Sequence, residues 1–203
     1  MRPSPFYSFA GVASIPAVYG LFRLRASGKE NLPEGGFVLA SNHVSNFDPW
    51  VLGLPLWPRR FLRFMAKSEL YWFPLGQLLT SGGAFPVRRG QADAEAIARA
   101  TELAREGHVV AMFPEGTRRR KGIRKKHEAR PRSGAARIAL EAGVPLVPAA
   151  VKGTDRLRRL GPLRVAYGPP LDLDDLRSRE PRDAAHEATE RLMAEIERLE
   201  ASL

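Results

Sequence analysis

The sequence predicts a single α/β domain with a mixed, partly parallel sheet flanked by helices, preceded by an N-terminal helical segment that associates with a membrane. Short apolar runs alternate with amphipathic helical stretches along most of the chain. The 203 residues are 44% hydrophobic, which is enough for one real core. The first residues are apolar and nearly uncharged. We therefore predict a membrane-associating segment over residues 1–28 and the α/β domain over residues 29–203.

The N-terminal segment has no charged residue between positions 3 and 22. About 20 apolar residues just suffice to cross a hydrocarbon core, but prolines, glycines and serines interrupt this stretch. We expect a bent helix that dips into one leaflet, with Arg23, Arg25 and Lys29 at the headgroups. That basic flank predicts a peripheral or monotopic protein on the cytoplasmic face of the cell membrane. Two alternatives are a helix packed on the protein's own core and a secretory signal. The signal is disfavoured because its charged region would be Arg2 alone and no cleavage site follows.

The remaining elements follow from apolar periodicity and from turn residues. Asp48 and Pro49 read as a helix cap and a first helical position, and Gly107 and Gly143 end two of the helices. Strands are predicted at residues 37–41, 61–66, 84–87, 109–113, 144–151 and 163–167, and helices at residues 48–56, 92–105, 133–142 and 182–200. Strands alternating with helices indicate parallel pairings in the sheet.

A histidine and an aspartate follow the first predicted strand, residues 37–41, at a spacing of five positions. This places the His43 imidazole and the Asp48 carboxylate at the carboxyl end of a buried strand, where α/β proteins present functional groups. Imidazole is well suited to remove a proton near neutral pH, and a fixed carboxylate sets its tautomer. The other histidines, His108, His127 and His186, lack such a partner. The pair is therefore the candidate acid–base centre.

Two later segments carry candidate anion-binding groups. Arg88 ends a predicted strand, where a guanidinium can bind a phosphate through paired hydrogen bonds. Glu115, Gly116, Thr117 and Arg118 follow another strand, and a glycine turn there exposes backbone N–H groups to an anion. Glu115 suits a different task, accepting hydrogen bonds from an arginine or a substrate hydroxyl. The plainer interpretations are a solvent-facing arginine and an ordinary strand-to-loop turn.

Residues 144–148, Val-Pro-Leu-Val-Pro, open the fifth predicted strand. They are expected either to line an apolar slot near the site or simply to belong to the core.

All four segments together, in this order, resemble the glycerolipid acyltransferase family, and within it the bacterial 1-acylglycerol-3-phosphate acyltransferases. The resemblance covers about residues 30–170. The matching motifs are Asn-His-(four residues)-Asp at Asn42, His43 and Asp48; Gly-x-x-Phe-x-x-Arg at Gly82, Phe85 and Arg88; Phe-Pro-Glu-Gly-Thr-Arg at 113–118; and the apolar stretch ending in proline at 144–148. One departure is Arg132-Ser133-Gly134, where relatives often have Lys-x-Gly; the charge is kept.

The resemblance implies acyl transfer from acyl-CoA or acyl-carrier protein to the free hydroxyl of lysophosphatidate, giving phosphatidate. His43 would be the general base and Asp48 would orient it. The acceptor phosphate would be bound by Arg88, Gly116, Thr117 and Arg118, with Glu115 beside them. An oxyanion donor would be worth roughly 3 to 4 kcal/mol. No cofactor, metal or enzyme nucleophile is expected, and the motifs leave open another acceptor, such as glycerol-3-phosphate or another lysophospholipid. They specify neither acyl-chain length nor oligomeric state.

The composition agrees with an anionic partner. The formal net charge is +10, and the chain contains no cysteine, which excludes disulfides and thiolate sites. Basic residues are dense between Arg118 and Arg132; this stretch is either a solvated loop or a contact for headgroups, an acidic carrier protein or CoA phosphates. A nucleic-acid partner is not expected, because no aromatic residue is interleaved there. A non-catalytic binding protein on a degenerate enzyme fold is the remaining alternative, and intact His43 and Asp48 disfavour it.

Overall fold

A computed structural model describes residues 4–88, 93–115 and 131–203. The strands are β1 (Arg25–Ser27), β2 (Phe37–Ser41), β3 (Leu62–Lys67), β4 (Ala84–Val87), β5 (Val109–Met112), β6 (Leu146–Lys152) and β7 (Arg164–Tyr167). The helices are α1 (Pro5–Ile15), α2 (Asp48–Gly53), α3 (Leu75–Ser81), α4 (Ala94–Arg105), α5 (Gly134–Ala142) and α6 (Pro181–Ser202). All six predicted strands and all four predicted helices are present, with ends shifted by at most three residues.

The strands form one sheet in the order β1-β7-β6-β2-β5-β3-β4. Every neighbouring pair is parallel except β6 and β7, which are antiparallel. The predicted single α/β domain with a mixed sheet is thus confirmed. The strands β2 to β6 all end at the same side of the sheet, which we call the carboxyl edge.

Each face of the sheet has its own core. On one face α4, α5 and α6 bury Leu103, Ile138 and Leu192 almost completely. On the other face the N-terminal segment and α2 cover side chains such as Phe37 and Leu39. β2 is therefore buried at every position, since a central parallel strand contacts a core on both faces.

The N-terminal segment is helical and changes geometry at Pro16, where α1 gives way to a π-helical stretch, Pro16–Leu21. One side packs on the domain: the Tyr7 ring lies 5.7 Å from the Trp50 ring, and Val18 is buried in the core. The other side is apolar and exposed, as at Phe6, Phe9, Val12, Ile15, Tyr19 and Leu21. Among the described residues, no helix is long and apolar enough to cross a membrane. Association with a membrane therefore stays a prediction.

β1 and α3 were not predicted. β1 lies inside the predicted segment 1–28 and pairs with β7, so the end of that segment belongs to the sheet. The domain boundary at residue 28 is a prediction that this pairing does not decide. Asp48 begins α2, but its carboxylate bonds to the amides of Val44 and Ser45, which precede the helix. The predicted role of its side chain as a cap was therefore wrong.

Candidate active site

The candidate site begins where β2 ends, at Asn42. Its side-chain amide donates to the Val151 carbonyl oxygen at 2.9 Å, and its amide oxygen accepts from the Val151 N–H at 2.8 Å. These two bonds fasten the ends of β2 and β6 to each other. The chain then turns sharply through Ser45 into α2, where Pro49 sits in the first turn and costs no hydrogen bond.

That turn brings the His43 ring against the Asp48 carboxylate. His43 Nδ1 lies 2.8 Å from Asp48 Oδ2, and the two residues are 7% and 0% exposed. Because an ionised carboxylate only accepts hydrogen bonds, Nδ1 carries a proton in this contact and Nε2 remains as the basic nitrogen. The same carboxylate oxygen accepts from the Val44 and Ser45 amides at 2.7 and 2.8 Å. These bonds compensate a buried negative charge, which would otherwise be costly.

One face of the imidazole is covered by Phe113, which follows β5. The two ring centroids are 4.2 Å apart and the planes are 25° from parallel. Both rings line a cavity of about 410 Å³ at the carboxyl edge, and Arg88 lines the same cavity. The structure thus brings the histidine–aspartate pair together with a cationic side chain that lies far from it in the sequence.

Arg88 is not free in this structure. Its side chain is 61% exposed, its Nη2 lies 3.2 Å from Glu95 Oε2, and its Nε lies 3.8 Å from Asp93 Oδ2. Asp93 also accepts from the Arg88 backbone N–H at 2.7 Å and from Ala96 N at the start of α4. The Arg88 backbone bond, then the Ala96 bond and the nearby Arg88 charge, lower the pKa of Asp93. The arginine lies where the sequence predicted, and two carboxylates hold it.

The other predicted phosphate-binding residues are described only in part. Glu115 is buried at 6% exposure, and it does not line the cavity with His43 and Arg88. Gly116, Thr117 and Arg118 lie outside the described residues, as does the basic stretch up to residue 130. Their predicted roles are therefore carried forward as predictions.

The slot predicted from residues 144–148 is not at the site. β6 runs parallel to β2, with Leu146 beside Val38 and Ala149 beside Ser41, so Val144 and Pro145 lie at the edge opposite His43. Both line a separate cavity with Leu171 and Leu173. The alternative, that this motif builds the core, is correct for Leu146 and Val147, which are fully buried. The slot was expected because bulky residues were predicted at a sheet edge near the site, and the direction of β6 places them at the opposite edge.

Several residues of the site were not predicted. Thr154, on the loop after β6, donates its hydroxyl to Asp48 Oδ1 at 2.6 Å. Arg137, which lines the cavity from α5, was not predicted either, whereas Arg132 at the entrance to that helix had been noted in the basic stretch. Thr154 had a usable signal, because it follows a strand parallel to β2 and so must arrive at the same edge. Of the described residues, no group of three or more His, Asp or Glu side chains has the arrangement of a metal site.

The fold and this geometry define an α/β protein with a buried histidine–aspartate pair at the carboxyl edge of its sheet. The Acyltransferase family model matches residues 23–152, which include the pair and Arg88. The chain therefore belongs to the acyltransferase family and is an O-acyltransferase.

Two relatives show how far the likeness extends. The chain is 34% identical over 182 residues to the 1-acyl-sn-glycerol-3-phosphate acyltransferase of Bacillus subtilis, covering 86% of this chain and 87% of that protein. It is 30% identical over 150 residues to a chloroplastic enzyme of the same name from Brassica napus, covering 71% of this chain and 42% of that protein. The chain thus spans most of the bacterial relative and less than half of the plant protein.

A solved structure supports the fold. The crystal structure of the 1-acyl-sn-glycerophosphate acyltransferase PlsC from Thermotoga maritima matches with a TM-score of 0.63 and 24% identity, over 95% of this chain and 78% of that chain. At that identity the likeness concerns the arrangement of helices and strands.

Proposed function

We propose that this protein transfers a fatty acyl group from an acyl thioester to the free sn-2 hydroxyl of 1-acylglycerol-3-phosphate, giving phosphatidate. The acyl donor is acyl-CoA or acyl-carrier protein. The observation that carries this proposal is the single cavity lined by both His43 and Arg88. It offers a base for a hydroxyl and a cation for a phosphate within one acceptor molecule. The names of the relatives in Bacillus subtilis and Brassica napus agree with this acceptor.

The chemistry needs only the groups of the chain and the two substrates. His43 Nε2 accepts the hydroxyl proton of the acceptor, and the oxygen attacks the thioester carbonyl carbon. The tetrahedral intermediate collapses with cleavage of the carbon–sulfur bond. The leaving thiolate then takes the proton back from His43, so the enzyme returns to its starting state. Asp48, held by backbone amides, keeps Nδ1 protonated and stabilises the imidazolium. No metal or cofactor enters these steps.

The acceptor phosphate is bound by Arg88 together with Gly116, Thr117 and Arg118, and Glu115 holds the surrounding groups in place. A phosphate at Arg88 must compete with Glu95 and Asp93, which the arginine contacts in the free protein. This exchange is favourable in principle because a guanidinium binds a phosphate in bidentate fashion, whereas exposed ion pairs contribute little.

We propose further that the exposed apolar side of the N-terminal segment rests on the cytoplasmic face of the cell membrane. Phe9 is 72% exposed and Leu21 is 51% exposed on a segment whose opposite side is buried. The segment leads into Arg23 and Arg25 at the carboxyl edge, because β1 is parallel to β7 and β7 begins beside the end of β6. An apolar surface ending in basic residues fits an anionic bilayer.

The test of the reaction is phosphatidate formation by the purified protein, with lysophosphatidate, glycerol-3-phosphate and a lysophosphatidylcholine as alternative acceptors. Acyl-CoA and acyl-carrier protein are compared as donors. His43→Ala is expected to lose the activity, and the matched control His186→Ala, an exposed histidine on α6, is expected to keep it. Turnover by His43→Ala near that of wild type rejects the mechanism. Turnover only on another acceptor rejects the substrate.

The test of the membrane contact is co-sedimentation with anionic vesicles. The double variant Phe9→Ser with Leu21→Ser is expected to bind at least about 10-fold more weakly, since two large apolar side chains no longer enter the bilayer. The control Tyr7→Phe changes a residue on the inward side of the same segment, at 6% exposure. Equal sedimentation of the double variant and wild type contradicts this contact.

A further inference from the structure

Thr154 lies outside all four sequence motifs but contacts the centre of the site. Its hydroxyl oxygen is 2.6 Å from Asp48 Oδ1, and the two residues are 2% and 0% exposed. They are 106 positions apart in the chain. Because the two residues are far apart in the chain and buried together, the fold has to place the Thr154 side chain accurately.

The position of Thr154 depends on how β6 ends. Asn42 binds both backbone groups of Val151, which fixes the height of β6 relative to β2. Gly153 then turns the chain at φ +95°, and a Cβ there would lie 2.4 Å from the Pro162 carbonyl oxygen. Only glycine fits this position, and the turn it allows places the next residue, Thr154, with its hydroxyl against Asp48.

The two oxygens of Asp48 have different partners. Oδ2 accepts from His43 Nδ1 and from the Val44 and Ser45 amides. Oδ1 accepts from the Thr154 hydroxyl, which fixes the rotation of the carboxylate about its own axis. A hydroxyl that donates to this oxygen also draws negative charge away from the oxygen facing the histidine. Thr154 thereby acts on both the orientation and the charge of the group that holds His43.

We propose that Thr154 is a positioning residue for the reaction, acting on His43 through Asp48. It contacts no substrate and fixes the plane and the charge distribution of the carboxylate. The imidazole then presents Nε2 to the acceptor in one orientation. This proposal rests on the proposed function, in which His43 is the general base.

The experiment compares Thr154→Val, which keeps the shape and removes the hydroxyl, with Thr154→Ser, which keeps the hydroxyl. The matched control is Thr189→Val, because Thr189 is also buried and also donates its hydroxyl at 2.6 Å, to Ala185 O on α6. Thr154→Val is expected to lower kcat about 10-fold, the usual size for a lost hydrogen bond to a charged group. KM for lysophosphatidate is expected to stay within about 2-fold, since phosphate binding is untouched.

The pH profile separates positioning from packing. Without the hydroxyl, Asp48 keeps more negative charge toward His43, so the acid limb of the pH profile of kcat is expected to move to higher pH. The other ionisable groups of the cavity are the same in the variant and in wild type, so they do not cause the shift. These groups are Arg88, Asp93, Arg132 and Arg137 on the lining, with Glu115 buried nearby.

Thr154→Ser is expected to restore kcat and the acid limb to within about 2-fold of wild type. Thr189→Val is expected to change Tm but neither kcat nor the profile. A wild-type kcat and profile in Thr154→Val overturns the proposal, as does a serine variant as impaired as the valine variant. If valine prevents purification, Thr154→Ala removes the same hydroxyl.

His43→Ala in the same assay tells the two failures apart. An inactive His43→Ala with a normal Thr154→Val refutes the positioning role alone. An active His43→Ala refutes the general base on which that role depends.

Discussion

The His43–Asp48 pair and Arg88 differ in their burial and in their hydrogen-bond partners. His43 and Asp48 are buried, and the aspartate accepts four hydrogen bonds from His43, Val44, Ser45 and Thr154. Arg88 is 61% exposed, and its guanidinium contacts the carboxylates of Glu95 on α4 and of Asp93 just before that helix. In the proposed reaction, the first of these two parts of the site is already in place before substrate binds, and the second exchanges its carboxylate partners for the acceptor phosphate.

This difference separates the two kinds of catalytic contribution. A buried pair with a fixed hydrogen-bond network contributes preorganisation, which appears in kcat because nothing has to reorganise during the reaction. An exposed arginine that exchanges a carboxylate for a phosphate contributes binding, which appears in KM. Substitutions in the two parts are therefore expected to affect different kinetic constants.

The largest effect is expected from Asp48→Asn. The amide keeps the shape of the side chain and removes its charge, so the imidazolium loses its stabilisation and the tautomer is no longer fixed. We expect kcat to fall about 10²–10⁴-fold, with KM for lysophosphatidate changed by less than about 3-fold. Steady-state kinetics measures both constants, and circular dichroism checks the fold. A change confined to KM contradicts the expectation that the His43–Asp48 pair acts on kcat.

A smaller effect is expected from Arg88→Lys. Lysine keeps the charge but cannot form paired hydrogen bonds to a phosphate, so KM for lysophosphatidate is expected to rise about 10-fold while kcat stays within about 3-fold. Arg99→Lys is the control, since Arg99 is also an exposed arginine paired with a carboxylate, Glu102. A fall in kcat alone for Arg88→Lys places the arginine in the chemical step instead.

The smallest effect is expected from Asp93→Asn, and it depends on pH. The pKa of Asp93 is lowered from its ordinary 3.8, so its ionised form stabilises the folded state above that ordinary value. The contribution is lost as the pH falls through the lowered pKa. We expect Asp93→Asn to lower Tm by ~1–3 °C at pH 7, because asparagine keeps the helix cap but lacks the negative charge at the helix N-terminus. Thermal unfolding is expected to give equal Tm values for the two proteins at the acid end of the range. A Tm difference independent of pH shows that charge is not the cause.

Most of the fold could be predicted because its central strands are short and largely apolar. β2 is buried at every position and β6 at all but its last, and such runs between turn residues indicate central strands. β1 could not be predicted, since it has three residues with an exposed-intermediate-exposed pattern. It exists because β7 offers it an unpaired edge, which is a property of the assembled sheet.

The site was predictable where chemistry and local spacing agree, and less so where distant residues meet. His43 and Asp48 lie within one turn, so their contact follows from the sequence. The contact of Thr154 with Asp48 depends on the register of β6 against β2, which the sequence does not state. Strand direction also accounts for the wrong expectation about residues 144–148, because the start of a parallel strand lies away from the edge at which His43 sits.

β1 also determines how a shortened form of this protein can be made. Deleting residues 1–28 removes β1 and leaves β7 as an unpaired sheet edge, which is a template for aggregation. Deleting residues 1–24 keeps β1 but removes Val18 and Leu24, which are buried in the core. The apolar surface and the sheet edge therefore share one covalent segment, and solubility is better sought by replacing Phe9 and Leu21 than by shortening the chain.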